Sequence, residues 1–150
     1  MTMPAWTQWV SVGAELATIA GVLGVLFAYL QLRAGLQGQR EATALGIWKD
    51  YLSLAMENPK LAVPSKYMTG AGKGTPDFER YEWFVSIMLF ACEQIVALRP
   101  NDREWTATVV DQLRYHVAYL GDKQFGAVHY SPALRGLFSE ALQKGLPNAV

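Results

Sequence analysis

The run Val10 to Leu32, VSVGAELATIAGVLGVLFAYLQL, constrains this chain more than any other stretch. A helix of about 20 mainly apolar residues crosses the hydrocarbon core of a bilayer. The one charge in the run, Glu15, lies near its first end. The pattern predicts an all-α protein: one N-terminal transmembrane helix followed by a small cytoplasmic helical bundle. Residues 1–33 then form a periplasmic cap and the transmembrane helix, and residues 34–150 the cytoplasmic helical domain. A hydrophobic share of 51% beside only 17% charged residues fits that division, because the span accounts for the apolar excess.

Orientation follows from the flanks. Trp6 and Trp9 precede the run and Tyr29 lies near its far end, as expected of rings that settle at headgroup level. No Lys or Arg precedes the span, whereas Arg33, Arg40, Lys49, Lys60, Lys66 and Lys73 follow it. The positive-inside rule therefore predicts a single-pass protein of the bacterial inner membrane, N-terminus outside and C-terminal domain cytoplasmic. A cleaved signal peptide is not expected, since a basic leading region and a small-residue cleavage site are both missing.

Within the span the small residues share one side. At about 100° per residue, Gly13, Ala17, Ala20, Gly21, Gly24 and Ala28 fall within roughly a third of the helix surface. Such a stripe admits a second helix at close range, so these six residues are the candidate helix–helix interface. Ile19, Val22, Leu26 and Leu30 lie opposite and suit lipid. Glu15 is also on that opposite side, close enough to the headgroups to reach water, and reads as a snorkelling residue rather than a proton site.

Beyond the span every recurrence is helical. Ala44, Leu45, Trp48, Tyr51, Leu52 and Ala55 recur at threes and fours, and Asn58-Pro59 stops that helix. Pro59 to Pro76 reads as loop. Asp77 to Arg99 reads as the central helix, with Phe78, Tyr81, Phe84, Val85, Met88, Cys92 and Ile95 on its core face. Being apolar nearly all round from Trp83 to Cys92, it should be buried on most sides. As a second span it is poor, because Glu82 and Glu93 bracket an apolar stretch of only about 10 residues. Asn101 to Glu104 has capping-box spacing. Trp105, Val109, Leu113, Val117 and Leu120 then form one buried stripe ending at Gly121. Ser131-Pro132 opens a last helix carrying Leu134, Leu137, Phe138, Ala141 and Leu142.

The chemistry-bearing residues are few. Gly70-Ala71-Gly72-Lys73-Gly74-Thr75 resembles the second half of an adenylate-kinase phosphate loop. Yet Tyr67 stands where the leading glycine belongs, no strand precedes, and no Ser or Thr directly follows Lys73. A linker with Thr75 capping the next helix explains it better. Cys92 is a buried thiol that cannot build a zinc site alone. His116, with no second ligand at useful spacing, reads as a hydrogen-bonded structural residue, and His129 stands alone. No metal, cofactor or enzymatic activity is expected. A formal net charge of zero argues against a nucleic-acid partner.

Asn58-Pro59-x-Leu61, Phe90-x-x-Glu93 and Trp105 within this plan resemble a loose set of uncharacterised small bacterial inner-membrane proteins. These have one N-terminal span and a cytoplasmic, aromatic-rich helical domain. The resemblance implies location and supplies no functional residues. The leading expectation is a membrane-anchored interaction or assembly protein, a subunit of a homo-oligomer or an accessory subunit of a larger membrane complex. Its partners are the bilayer and, through the span, itself or another membrane subunit. The alternatives are an oligomeric pore-forming or membrane-disrupting effector, a nucleotide-binding or enzymatic membrane protein acting through Lys73, and a soluble oligomer that buries the first helix.

Overall fold

The computed structural model describes residues 5–64, 73–122 and 125–146, with backbone alone for residues 5–20. Over these residues the chain is all-helical, with no strand. It divides into two compact units, residues 1–39 and 40–150.

Helix α1 runs from Ala5 to Glu57, 53 residues without interruption. Pro4 and Pro59 bound it and no proline lies between, so no backbone donor is lost along its length. Gly35 and Gly38 sit within it without ending it. The expected positions of Trp6, Trp9, Gly13, Glu15, Ala17 and Ala20 lie on this helix, but their side chains are outside the described residues.

In the second unit, residues 40–57 of α1 present Ala44 and Tyr51 to the core, with Ile47, Trp48, Leu54 and Ala55 packed against them. Leu45 and Leu52, expected on that face, are exposed instead. The true face follows the 44–47–48–51–54–55 rhythm, which recentres the stripe by about 60° from the predicted one. Asn58 ends α1, its side-chain amide donating to the Leu54 carbonyl at 3.0 Å. The expected loop after it begins with a helical turn, α2 (Pro59–Ala62), which buries Leu61.

Helix α3 (Pro76–Leu98) is the centre of this unit. Thr75 caps it, its hydroxyl accepting from the Phe78 N–H, and Pro76 takes the first turn, as the sequence predicts. Its core face is Phe78, Tyr81, Phe84, Val85, Met88, Cys92 and Ile95, every one buried. Among the described residues, α3 is the helix long and apolar enough to cross a membrane, yet it is also the one the unit is packed around. Burial on most sides is corrected: Trp83, Ile87 and Phe90 face solvent.

Helix α4 (Arg103–Arg114) is capped by Asp102, whose carboxylate accepts from the Glu104 and Trp105 N–H groups, and not by Asn101. Asn101 has φ of 65°, a left-handed turn that Asn tolerates better than most residues. The predicted continuous helix to Leu120 breaks at Tyr115 and His116 and resumes as the short α5 (Val117–Leu120). A 3-10 turn over Ala127–His129 leads to α6 (Pro132–Lys144). Ser131 caps α6 as expected. Helices α4 and α6 make the most extensive contact in the unit, and α3 packs on both.

Candidate interaction surfaces and the buried polar centre

From Gly21 to Leu32 every residue of α1 is exposed. Val22, Val25, Leu26, Phe27 and Leu30 are among them, Val25 at 73%. Water around so long an apolar surface is costly, at about 25 cal/mol for each Å². Of the six candidate interface residues, Gly21, Gly24 and Ala28 are described and all are exposed. A Cβ placed on Gly21 or Gly24 would meet nothing within 4 Å among the described residues.

In the second unit the buried polar centre is His116. The backbone places it: its N–H bonds the Leu113 carbonyl, closing α4, and its own carbonyl accepts from Tyr119 and Leu120, opening α5. The ring has no exposed surface. It stacks on Tyr81 at 5.8 Å between centroids and tilts against Phe84 at 6.1 Å. Tyr81 Oη is 2.9 Å from His116 Nδ1. Nε2 is buried with no hydrogen-bond partner among the described residues. Burial lowers the His116 pKa to about 4, so the ring is neutral at pH 7. A neutral imidazole wedged between aromatic rings ties α3 to the α4–α5 joint.

Next to it, Tyr119 stands edge-on to Tyr81 at 5.6 Å and donates its hydroxyl to Glu82 Oε1 at 3.3 Å. Burial, then the Glu82 charge, push the Tyr119 pKa up to about 12. Glu93, at the far end of α3, accepts the Ser131 N–H at 2.8 Å and so docks the start of α6. Each acid thus accepts a hydrogen bond from outside the central helix. Around Tyr119 lies a cleft of about 280 Å³, with Lys73, Phe78, Glu79, Glu82 and Asp122 among its walls.

The phosphate-loop lookalike borders that cleft. Gly70, Ala71 and Gly72 lie outside the described residues. Lys73 Nζ is 2.7 Å from Asp122 Oδ2, so its charge is already met by a carboxylate of the same chain. Gly74 adopts φ of 86°, a turn that leads into the Thr75 cap. Cys92 is a free, buried thiol, as expected. Among the described residues no three His, Cys, Asp or Glu side chains gather closely enough to hold a metal ion.

One cluster has no signature in sequence spacing. Arg99 Nε lies 3.1 Å from Glu41 and its Nη2 2.7 Å from Asp102, while Trp105 Nε1 donates to Glu41 at 3.4 Å. The cluster joins the 40–57 segment of α1 to the α3–α4 turn, linking Glu41 to residues far along the chain. Trp48 then meets Trp105 edge-on at 6.2 Å.

No protein-family model matches the chain, and neither the curated proteins nor the solved structures contain a significant relative.

Proposed function

We propose that the protein is a membrane-anchored helical assembly subunit without enzymatic activity. Val10 to Leu32 crosses the inner membrane with the N-terminus outside. The Gly13, Ala17, Ala20, Gly21, Gly24 and Ala28 stripe packs against the same helix of another copy or against a helix of a larger membrane complex. The observation that carries this reading is the exposed apolar surface from Gly21 to Leu32, together with open space above Gly21 and Gly24. In water such a surface would aggregate; among acyl chains it is solvated, and small residues there let two helices approach closely. The second unit supports a scaffold role, since its buried polar groups tie helices together.

Purification in a mild detergent followed by mass measurement tests the reading. A homo-oligomer or a complex with another membrane subunit is expected, and Gly24→Ile should release single copies. A monomer that comes out of the membrane alone, unchanged by Gly24→Ile, would overturn it.

A further inference from the structure

We infer that the outward face of α3 is a second self-association surface, where α3 of one copy pairs antiparallel with α3 of another about a two-fold axis at Ile87. This extends the assembly reading above and rests on it, because shared anchoring in one membrane supplies the concentration a small surface needs.

The face is defined by spacing and exposure together. Arg80, Trp83, Ile87, Phe90, Gln94 and Ala97 follow one another at intervals of three and four. That is the repeat by which two helices interlock along a seam. The seam points away from the core: Trp83 is 72% exposed, Phe90 66% and Ile87 47%, while Met88, Cys92 and Ile95 behind them are fully buried. Arg80 and Ala97 are exposed and Gln94 is half-buried. A helix of this domain needs one apolar face, and α3 has two.

The order of residues within the seam selects the partner. It is self-complementary when reversed about Ile87. Trp83 then meets Phe90 of the second copy and Phe90 meets its Trp83, two aromatic pairs with their own geometric attraction. Ile87 meets Ile87 on the axis. Arg80 meets Gln94, whose amide oxygen accepts a charge-assisted hydrogen bond, and the same pair repeats at the other end. An isologous dimer requires this reciprocity. A parallel pairing would set Arg80 against Arg80, two like charges at one end. A lipid surface would leave Gln94, in line with the apolar residues, without a hydrogen-bond partner.

Size sets the strength. Fully presented aromatic side chains carry about 150–250 Å² each, so Trp83, Phe90 and Ile87 offer on the order of 400 Å² per copy. A stable interface between free proteins takes about 800 Å² per partner. The α3 seam therefore forms a weak contact between free chains and a populated one between chains confined to the same bilayer, where the local concentration is high.

Oxidative cross-linking of the full chain in its own membranes tests this. Cys92 is buried and stays in place, so the unaltered chain is the background. Ile87→Cys should give a disulfide-linked dimer. Phe90→Cys alone should not, whereas Phe90→Cys co-expressed with Trp83→Cys should link the two variants. Ser139→Cys, exposed on α6, is the negative control. Adding Gln94→Arg to Ile87→Cys sets like charges against Arg80 and should lose the dimer, and adding Arg80→Glu to both should restore it. No dimer at Ile87→Cys, or a dimer at Phe90→Cys alone, overturns the proposal. A carbonate wash of the same membranes separates the two readings. Retained protein without the Ile87→Cys dimer leaves the anchor standing and removes the seam. Released protein that still cross-links removes the anchor and keeps the seam.

Discussion

Burial of a neutral His116 should make the second unit acid-sensitive, and His116→Leu should remove that part of the sensitivity. Burial holds the His116 pKa at about 4 against its ordinary 6.5. Between these values the unfolded chain binds a proton that the folded chain refuses. Stability is therefore complete above pH 6.5 and falls as the pH drops toward 4, below which this group adds no further change. At about 1.4 kcal/mol for each pH unit of that gap, the loss is on the order of 3 kcal/mol. The cause is structural: the ring has no exposed surface, and among the described residues Nε2 has no partner while Nδ1 meets the Tyr81 hydroxyl. The assay is urea unfolding of the full chain in detergent micelles, followed by near-ultraviolet circular dichroism at a series of pH values. Carboxylates contribute a slope of their own, so the quantity that matters is the difference between the unaltered chain and His116→Leu. The unaltered chain should lose more stability between pH 6.5 and 4, and the two should run parallel above pH 7. Identical slopes over the acid range would refute the assignment of a buried, neutral His116.

Tyr81→Phe should cost about 1–3 kcal/mol by leaving His116 Nδ1 unsatisfied, and the Tyr81→Phe, His116→Leu pair should recover part of that loss; the same unfolding series measures both. Asp102→Ala removes the α4 cap and should cost about 1 kcal/mol, whereas Asn101→Ala, where a left-handed φ is required, should also destabilise and Asn101→Gly should not. Met88→Ala should lower stability by about 2–5 kcal/mol through cavity formation, while Phe90→Ala, on the opposite face of the same helix, should leave the monomer nearly unchanged. Cys92, its pKa pushed up to about 12 by burial, should react with maleimide only after denaturant is added.

The parts of this fold legible in the sequence are those set by local rules. Thr75-Pro76 and Ser131-Pro132 announce helix starts because hydroxyl caps and a first-turn proline act within four residues. The core face of α3 is legible because its period is sustained over the whole helix. Where two local signals compete, tertiary contacts decide. Asn101 and Asp102 both fit a cap; Arg99, paired with Asp102 at 2.7 Å, holds that carboxylate at the helix start and leaves Asn101 to make the turn. Leu45 and Leu52 have the right period for a buried face, but Trp48 leans toward Trp105 and recentres α1 on Tyr51. The break at His116 was not legible, since Tyr115 and His116 carry no helix-stopping signal. It follows from the bond between His116 and Tyr81, whose residues lie 35 apart. The exposed seam of α3 was hidden for a related reason. An all-apolar helix reads as buried on every side until the number of neighbours is known, and here they cover only one face.

A carbonate wash of membranes containing the full chain bears most directly on the anchoring of Val10 to Leu32. The protein should stay in the membrane pellet at alkaline pH and enter solution only with detergent. Its appearance in the alkaline supernatant, still folded, would contradict the account and return the exposed face of α1 to a protein partner.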